Sequence, residues 1–318
     1  MKVQNTRTAL PDRFAHRAGF YSSRDEVIAL ATPIVAEALR QDMPVGLIVS
    51  DETERRLRQA LDSSLGLIHL PPPEPALRAS GQGVVTQRAR ELRELTDWAG
   101  PITVITEHHR DSVGVDASAW VEADAAMNVA LAALPVTMTC LYPVELGSRT
   151  LDAVRWNHPN LLDSGGVVRE NLDARSPSEV LVMHPIAAPA DLGRPDREMT
   201  FSPWQLIDLR TAVTEATETV GLPYDRAQDF VLAVNEVASN AVEHGHGIGR
   251  LRIWRRIDGL ICEVHDTGSL GEPLPGLRPP HPNSPRGRGV WIARQLCDLL
   301  HVWTDPTGTH VRLRTLSR

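Results

Sequence analysis

Cysteine is scarce in this chain. Cys140, Cys262 and Cys297 stand far apart, and no C-x-x-C pair occurs. Cys140 and Cys262 sit in apolar, strand-like runs, so buried free thiols are the reading rather than a disulfide framework. Long hydrophobic runs are absent too. No apolar stretch approaches a membrane span, and the opening MKVQNTRTALPDRF has no apolar h-region. The expectation is a cytoplasmic protein with no membrane contact. An excess of positive charge is also missing: 40 acidic residues stand against 33 basic ones, a net charge of −7. That argues against a nucleic-acid-binding surface. The first half holds no G-x-x-x-x-G-K-[ST], and no G-x-G-x-x-G after a predicted strand, so no phosphate cradle is expected there.

What is present is enough sequence for two domains, 318 residues of which 42% are hydrophobic. In the first half, helical spacing runs through Arg24–Arg40, Gln82–Trp98, Ala117–Leu134 and Ser148–His158. Short apolar runs at Val45–Ser50, Leu65–Leu70, Ile102–Glu107, Val136–Tyr142 and Glu179–His184 read as strands. Asp51 reads as the cap of a helix over Glu52–Leu61. Strands alternating with helices predict a mostly parallel sheet with helices on both faces, which binds ligands at the carboxyl ends of its strands. His184–Thr200 is rich in breakers and reads as a linker. The expected division is a sensory α/β domain over 1–187, a linker over 188–199 and a second domain over 200–318.

The second domain opens with an amphipathic helix, Pro203–Val220, striped by Leu206, Leu209, Val213, Ala216 and Val220. A helix over Tyr224–Gly245 follows, ended by Gly245 and Gly247. Arg250–Ile257 and Leu260–His265 flank Asp258-Gly259, a hairpin signal. Residues 269–285 carry six prolines and read as an irregular, semi-rigid flap. Arg288–Leu300 reads as a helix, and Leu299–Thr304 with Thr309–Leu316 as a closing hairpin.

Four short motifs carry the chemistry. LAVNEVASNAVEHG places Glu236 and Asn240 one helical turn apart on one face. A carboxylate there can act as a general base, and an amide oxygen as a hard ligand for Mg²⁺. By itself such a pair is as readily a solvated polar face. Asp266-Thr267-Gly268 ends an apolar strand, where the aspartate can accept from an amino group or simply make a turn. Arg286-Gly287-Arg288-Gly289 opens a helix, where bare N–H groups and the helix dipole favour phosphate. Arg286 and Arg288 can reach phosphate or serve only as surface charge. Gly308-Thr309 opens the last strand. His244 and His246 read as helix-end histidines, and His108-His109 as turn or surface residues, since no metal-ligand spacing accompanies them.

In this order the motifs resemble the GHKL ATP-binding fold: an N-box of Glu236 and Asn240, a D-x-G of Asp266 and Gly268, a G-x-G of Gly287 and Gly289, and a G-T of Gly308 and Thr309. The resemblance covers roughly Phe201–Leu316 and lies closest to anti-sigma-factor serine kinases of the RsbW type. It implies an α/β sandwich with a mixed, mainly antiparallel sheet, and ATP and Mg²⁺ as cofactors. It also implies Glu236 as catalytic base, Asn240 as the metal ligand, and Asp266 as the adenine contact. Gly268, Arg286, Gly287, Arg288, Gly289 and Thr309 would complete the nucleotide site. The implied partners are a sigma factor and an anti-anti-sigma (STAS-domain) protein, whose serine or threonine is phosphorylated, with a homodimer as the usual assembly. The role would be regulation of transcription, as in a stress response.

The first half resembles the MEDS sensory domain, a RecA/KaiC-like relative fused to a GHKL domain in RsbA-type regulators. The likeness lies in His16–Tyr21, the MPVGLIVS and VTMTCLYP strands and the later RWNHP. Val121–Asn128 (VEADAAMN) and Cys140–Glu145 (CLYPVE) depart from that family's usual wording. His16 and His158 are the candidates for a sensory pocket. Two rivals stay open for the whole: a non-catalytic, nucleotide-dependent binding module, and a histidine kinase. The second would need a phosphoacceptor histidine on a helical hairpin before the N-box. The one predicted helix there, Pro203–Val220, has no histidine.

Overall fold

The structure is a computed structural model and describes residues 12–61, 65–72, 80–109, 117–281, 283 and 287–317. Two compact units are formed. One draws on Met1–Pro73, Arg88–Val115 and Leu131–Val180, the other on Glu74–Gln87, Asp116–Ala130 and Leu181–Arg318. Among the described residues no helix is long and apolar enough to cross a membrane.

In chain order the first half contains β1 (Ala15–Tyr21), α1 (Arg24–Arg40), β2 (Val45–Ile48), α2 (Asp51–Leu61), β3 (Leu67–His69), α3 (Gly81–Ala99) and β4 (Ile102–Glu107). Then come α4 (Ala117–Ala130), β5 (Val136–Pro143), α5 (Ser148–Asn157), β6 (Asn160–Leu162), β7 (Val168–Glu170) and α6 (Pro177–Met183). The seven strands form one sheet in the order β3-β2-β4-β5-β1-β6-β7. All pairings are parallel except β6 with β7. β5 is buried along its whole length, as expected of a central strand covered on both faces. α1 packs Val27, Leu30, Ala31, Val35 and Ala38 into the core beside Val45, Leu47 and Ile105.

Two expectations for this half change, and a third point is a pair of strands the sequence reading did not place. Glu179–His184 is not a strand: helix α6 occupies Pro177–Met183. The cause is a capping box. Ser176 Oγ accepts from Glu179 N at 3.3 Å, and the Glu179 carboxylate accepts from Ser176 N at 2.8 Å. Asp51 does not cap α2 either. Ser50 Oγ accepts from Thr53 N at 3.2 Å, and Asp51 is the first helical residue. Thirdly, β6 and β7 are three-residue strands, too short to leave a periodic signal.

The second half runs β8 (Arg197–Phe201), a short 3-10 turn (Pro203–Gln205), α7 (Leu206–Thr219), α8 (Tyr224–His244), β9 (Gly249–Arg256), β10 (Gly259–Asp266), α9 (Gly289–Leu296), β11 (Leu299–Asp305) and β12 (Gly308–Leu316). Its sheet has the order β11-β12-β10-β9-β8, antiparallel throughout. Helices α7, α8 and α9 pack Leu209, Val213, Phe230, Val234, Val237 and Ala293 onto Leu251, Cys262, Val264, Val302 and Leu313 of the sheet. Mixed α/β architecture with a mostly parallel seven-stranded sheet and an antiparallel five-stranded one agrees with the sequence reading. The end of the expected linker is instead an edge strand, since β8 pairs with β9 from Arg197↔Ile253 to Phe201↔Gly249. α9 is also shorter than expected. Cys297 turns to extended backbone (φ −117°, ψ 164°), and Asp298 N donates to Arg314 O at 3.0 Å. Sheet pairing therefore takes the chain before another helical turn can form. Cys140, Cys262 and Cys297 are all buried and none is disulfide-bonded.

Candidate nucleotide-binding site

α8 is the platform. Its apolar face, Phe230, Val231, Val234, Val237, Ala238 and Ala241, is buried, and Glu236 and Asn240 come off its flank half-buried. The register that sinks the apolar stripe also fixes the direction of these two side chains.

The helix ends in a way the sequence did not suggest. Gly245 keeps an ordinary negative φ of −102°. The left-handed residues are His246 (φ 63°) and Gly247 (φ 83°). Gly245 is required for space instead. A Cβ there would lie 2.3 Å from Ala241 O, 2.4 Å from Asp266 Cβ and 2.6 Å from Asp266 Oδ1. Its lack of a side chain lets the end of α8 touch the end of β10.

Asp266, last residue of β10, is buried, and Oδ1 accepts from Gly268 N at 2.7 Å. Loss of water around the carboxylate raises its pKa above the ordinary aspartate value. Gly268 closes against the helix end, since a Cβ would sit 2.5 Å from His244 O. Thr309 faces Asp266 across the β10–β12 ladder, and its hydroxyl donates to Gly268 O at 3.0 Å. Gly308 (φ 136°) leaves room for Asp266 O, 2.0 Å from where a Cβ would stand. Five residues distant in sequence, Gly245, Asp266, Gly268, Gly308 and Thr309, thus build one node. Both meanings of Asp266 are compatible there: Oδ1 makes the turn, and Oδ2 has no hydrogen bond among the described residues.

The third contributor is α9. A Cβ on Gly289, its first residue, would lie 2.9 Å from both Glu236 Oε2 and Asn240 Nδ2. The G-x-G segment and the N-box are therefore in direct apposition. Gly287 has φ 80° with open space around it, and Arg288 is exposed at the start of α9. Arg286 lies outside the described residues. Backbone N–H groups at a helix start, a carboxylate and a side-chain amide meeting at a side-chain-free position fit a phosphate-bearing ligand with its metal ion.

Within the 269–285 segment, residues 274–277 are tied down more firmly than the prolines alone implied. Leu274 and Leu277 are buried. Gly276 (φ 71°) abuts the α9 backbone, where a Cβ would stand 2.7 Å from Trp291 N. Arg294 of α9, 1% exposed, donates from Nε to Pro275 O at 2.9 Å, from Nη1 to Leu300 O at 2.8 Å and from Nη2 to Gln82 Oε1 at 2.6 Å. Burial pulls its pKa down to about 10, still cationic at neutral pH. The sequence reading missed Arg294 because one arginine in a short amphipathic helix looks like surface charge. A position on the buried stripe beside Ala293 and Cys297 was the available signal.

The histidines divide. His244 is exposed in the last turn of α8, and His246 Nδ1 lies 3.2 Å from Thr267 Oγ1 at the D-x-G turn. His108 is no surface residue: its ring stacks on Tyr142 at 4.2 Å, and desolvation lowers its pKa to about 3. His109 Nε2 pairs with Glu107 at 3.2 Å.

An antiparallel sheet backed by three helices, with a polar pair on one helix facing a glycine loop, defines a two-layer α/β sandwich. Residues 199–315 match the family model of the histidine kinase-like ATPase domain. This part of the chain is a GHKL-type ATPase domain. A search of curated proteins found no match for the chain.

Proposed function

We propose that this domain binds Mg-ATP and phosphorylates a serine or threonine of an anti-anti-sigma (STAS-domain) protein, while its unphosphorylated targets compete with a sigma factor for the same regulator. The apposition of Gly289 with Glu236 and Asn240 carries this reading, because base, metal ligand and phosphate loop must share one place. ATP, when bound, supplies the phosphoryl group. Asn240 would offer its amide oxygen to Mg²⁺, and Glu236 would take the proton of the acceptor hydroxyl. Asp266 accepts from the adenine amino group, and Gly268 makes room beside it. Backbone N–H groups at Gly287 and Gly289 would hold the phosphates, and Arg286 and Arg288 would add positive charge for them. Thr309 holds the D-x-G turn through Gly268.

The N-terminal region, 1–187, would be a MEDS-like sensory domain that biases the switch, joined through 188–199 to the kinase domain, in a cytoplasmic homodimer. Trp204, in the 3-10 turn, and Ile207, in the first turn of α7, are 90% and 75% exposed and only three residues apart. Large apolar groups so placed favour a protein partner. The test is transfer from labelled Mg-ATP to a panel of STAS-domain proteins from the same genome, by wild type, Glu236→Ala and Asn240→Ala. Transfer by wild type alone supports the kinase. Tight ATP binding without transfer to any of them replaces it with a nucleotide-dependent binding module.

A further inference from the structure

The first unit holds a buried cluster that the nucleotide site does not use. β1 and β5 are adjacent parallel strands, with His16 opposite Met138 and Ala18 opposite Cys140. Alternate residues share a face, so His16, Cys140 and Tyr142 project to the same side of the sheet. His158 follows the last turn of α5. His16 and Cys140 are each 2% exposed and His158 is 0% exposed. Cys140 Sγ lies 3.4 Å from His16 Nε2, and the rings of His16 and His158 are 3.9 Å apart between centroids. One donor atom from each residue falls within 4.8 Å of the others.

We propose that His16, Cys140 and His158 form a transition-metal site, with Zn²⁺ the ion whose preferences they match. The spacing agrees with the metal. Zn–N bonds of about 2.0 Å and a Zn–S bond of about 2.3 Å at a tetrahedral angle place N and S roughly 3.5 Å apart. The tautomer agrees as well. His158 Nδ1 lies 2.7 Å from Val154 O, one turn back in α5. A carbonyl can only accept, so Nδ1 carries the proton and the lone pair is on Nε2. That Nε2 is buried and has no hydrogen-bond partner among the described residues. A carbonyl fixing one nitrogen so that the other can bind a metal is the usual outer-shell arrangement of ligand histidines.

Phe14 lies 5.0 Å from the His16 ring, and Tyr142 meets His158 edge-on at 5.8 Å, so aromatic walls enclose the donors. A purely structural cluster, with the Cys140 thiol donating to His16 Nε2, accounts for that pair. It leaves the His158 lone pair buried without a use. Binding releases one proton from the Cys140 thiol and involves no oxidation. Three donors leave at least one tetrahedral position for an oxygen ligand.

The test uses the full chain, stripped with chelator and reloaded with one equivalent of Zn²⁺ or Co²⁺. The Co²⁺ protein should show a thiolate-to-cobalt charge-transfer band in the near ultraviolet, and Zn²⁺ should raise Tm. Cys140→Ser should delete the band. His158→Gln should weaken Zn²⁺ binding by about 100-fold or more, beyond the range that loss of an outer-shell partner costs. Cys262→Ala, in the other unit, should leave both unchanged. X-ray absorption at the zinc edge of the wild-type protein should find one sulfur ligand, which keeps the answer independent of variant folding. No sulfur in the zinc shell, or a band that survives Cys140→Ser, overturns the site. Nucleotide binding plays no part in any of these readings.

Discussion

Gly289→Ala separates the chemistry of the nucleotide site from its stability. The added methyl would stand 2.9 Å from Glu236 Oε2 and Asn240 Nδ2, about 0.5 Å inside a comfortable contact. Both obstructing atoms end flexible side chains, so the fold can yield by turning them aside. Gly289 begins a helix, and its backbone is not in the left-handed region. Alanine there gains helix propensity, up to about 1 kcal/mol in an interior position and less at the first. Stability should hold or rise slightly. Function should fall, because a misplacement of about 1 Å can cost about 100-fold, and half of that roughly tenfold, or about 1.4 kcal/mol. The assays are calorimetric titration with Mg-ATP, the initial rate of phosphoryl transfer, and Tm. A weaker Kd or slower transfer at unchanged Tm is the expected result. Affinity and rate both within about twofold of wild type would refute the apposition of loop and N-box. A fall in Tm would instead mean that helix packing, not the site, needed the glycine.

Glu236→Gln should keep Mg-ATP affinity within a few fold but slow transfer by about 10²–10⁴-fold, the range for loss of a general base. Equal loss of binding and rate would make Glu236 a binding residue. Asp266 has a raised pKa, so between the ordinary carboxylate value and that raised value the native state holds its proton more tightly than the unfolded chain. Its contribution to stability therefore declines as pH rises through that window. Mg-ATP affinity should move the opposite way, gaining as the carboxylate ionises, and Asp266→Asn should flatten this acid limb in a pH series of Kd values. Arg294→Met strands acceptors at Pro275, Leu300 and Gln82. A loss of about 1–3 kcal/mol for each acceptor left buried is expected in urea unfolding, and a total loss below about 1 kcal/mol would show the network to be dispensable. His108 and His158 have pKa values lowered to about 3 and about 4. In metal-free protein the stability they supply is complete above pH 6.5. It should fall by about 2 kcal/mol each on the way to pH 5, so unfolding midpoints that stay flat between pH 7 and 5 would contradict their burial.

The nucleotide motifs were legible because each is a local device. Glu236 and Asn240 share a face through helical geometry alone, and Asp266 ends an apolar strand that the Asp258-Gly259 pair had already marked. The parallel sheet was legible from runs such as Val136–Tyr142, since a strand buried on both faces must be apolar throughout. Where local signals competed, the reading failed. Glu179–His184 has the composition of a strand, but Ser176 and Glu179 cap a helix before it. Arg197–Phe201 looks like the end of a linker, because an edge strand needs only one neighbour to pair with.

By itself, then, the sequence determined most of the helices and the longer strands, their order and the four motifs, all of which depend on residues within a turn or a hairpin of each other. Tertiary structure decided the rest. It placed Gly289 against the N-box, made Gly245 a matter of space rather than of φ, buried Arg294, and gathered His16, Cys140 and His158. Those facts rest on contacts between segments far apart in the chain, and helical or strand periodicity carries no information about which distant segment will lie alongside.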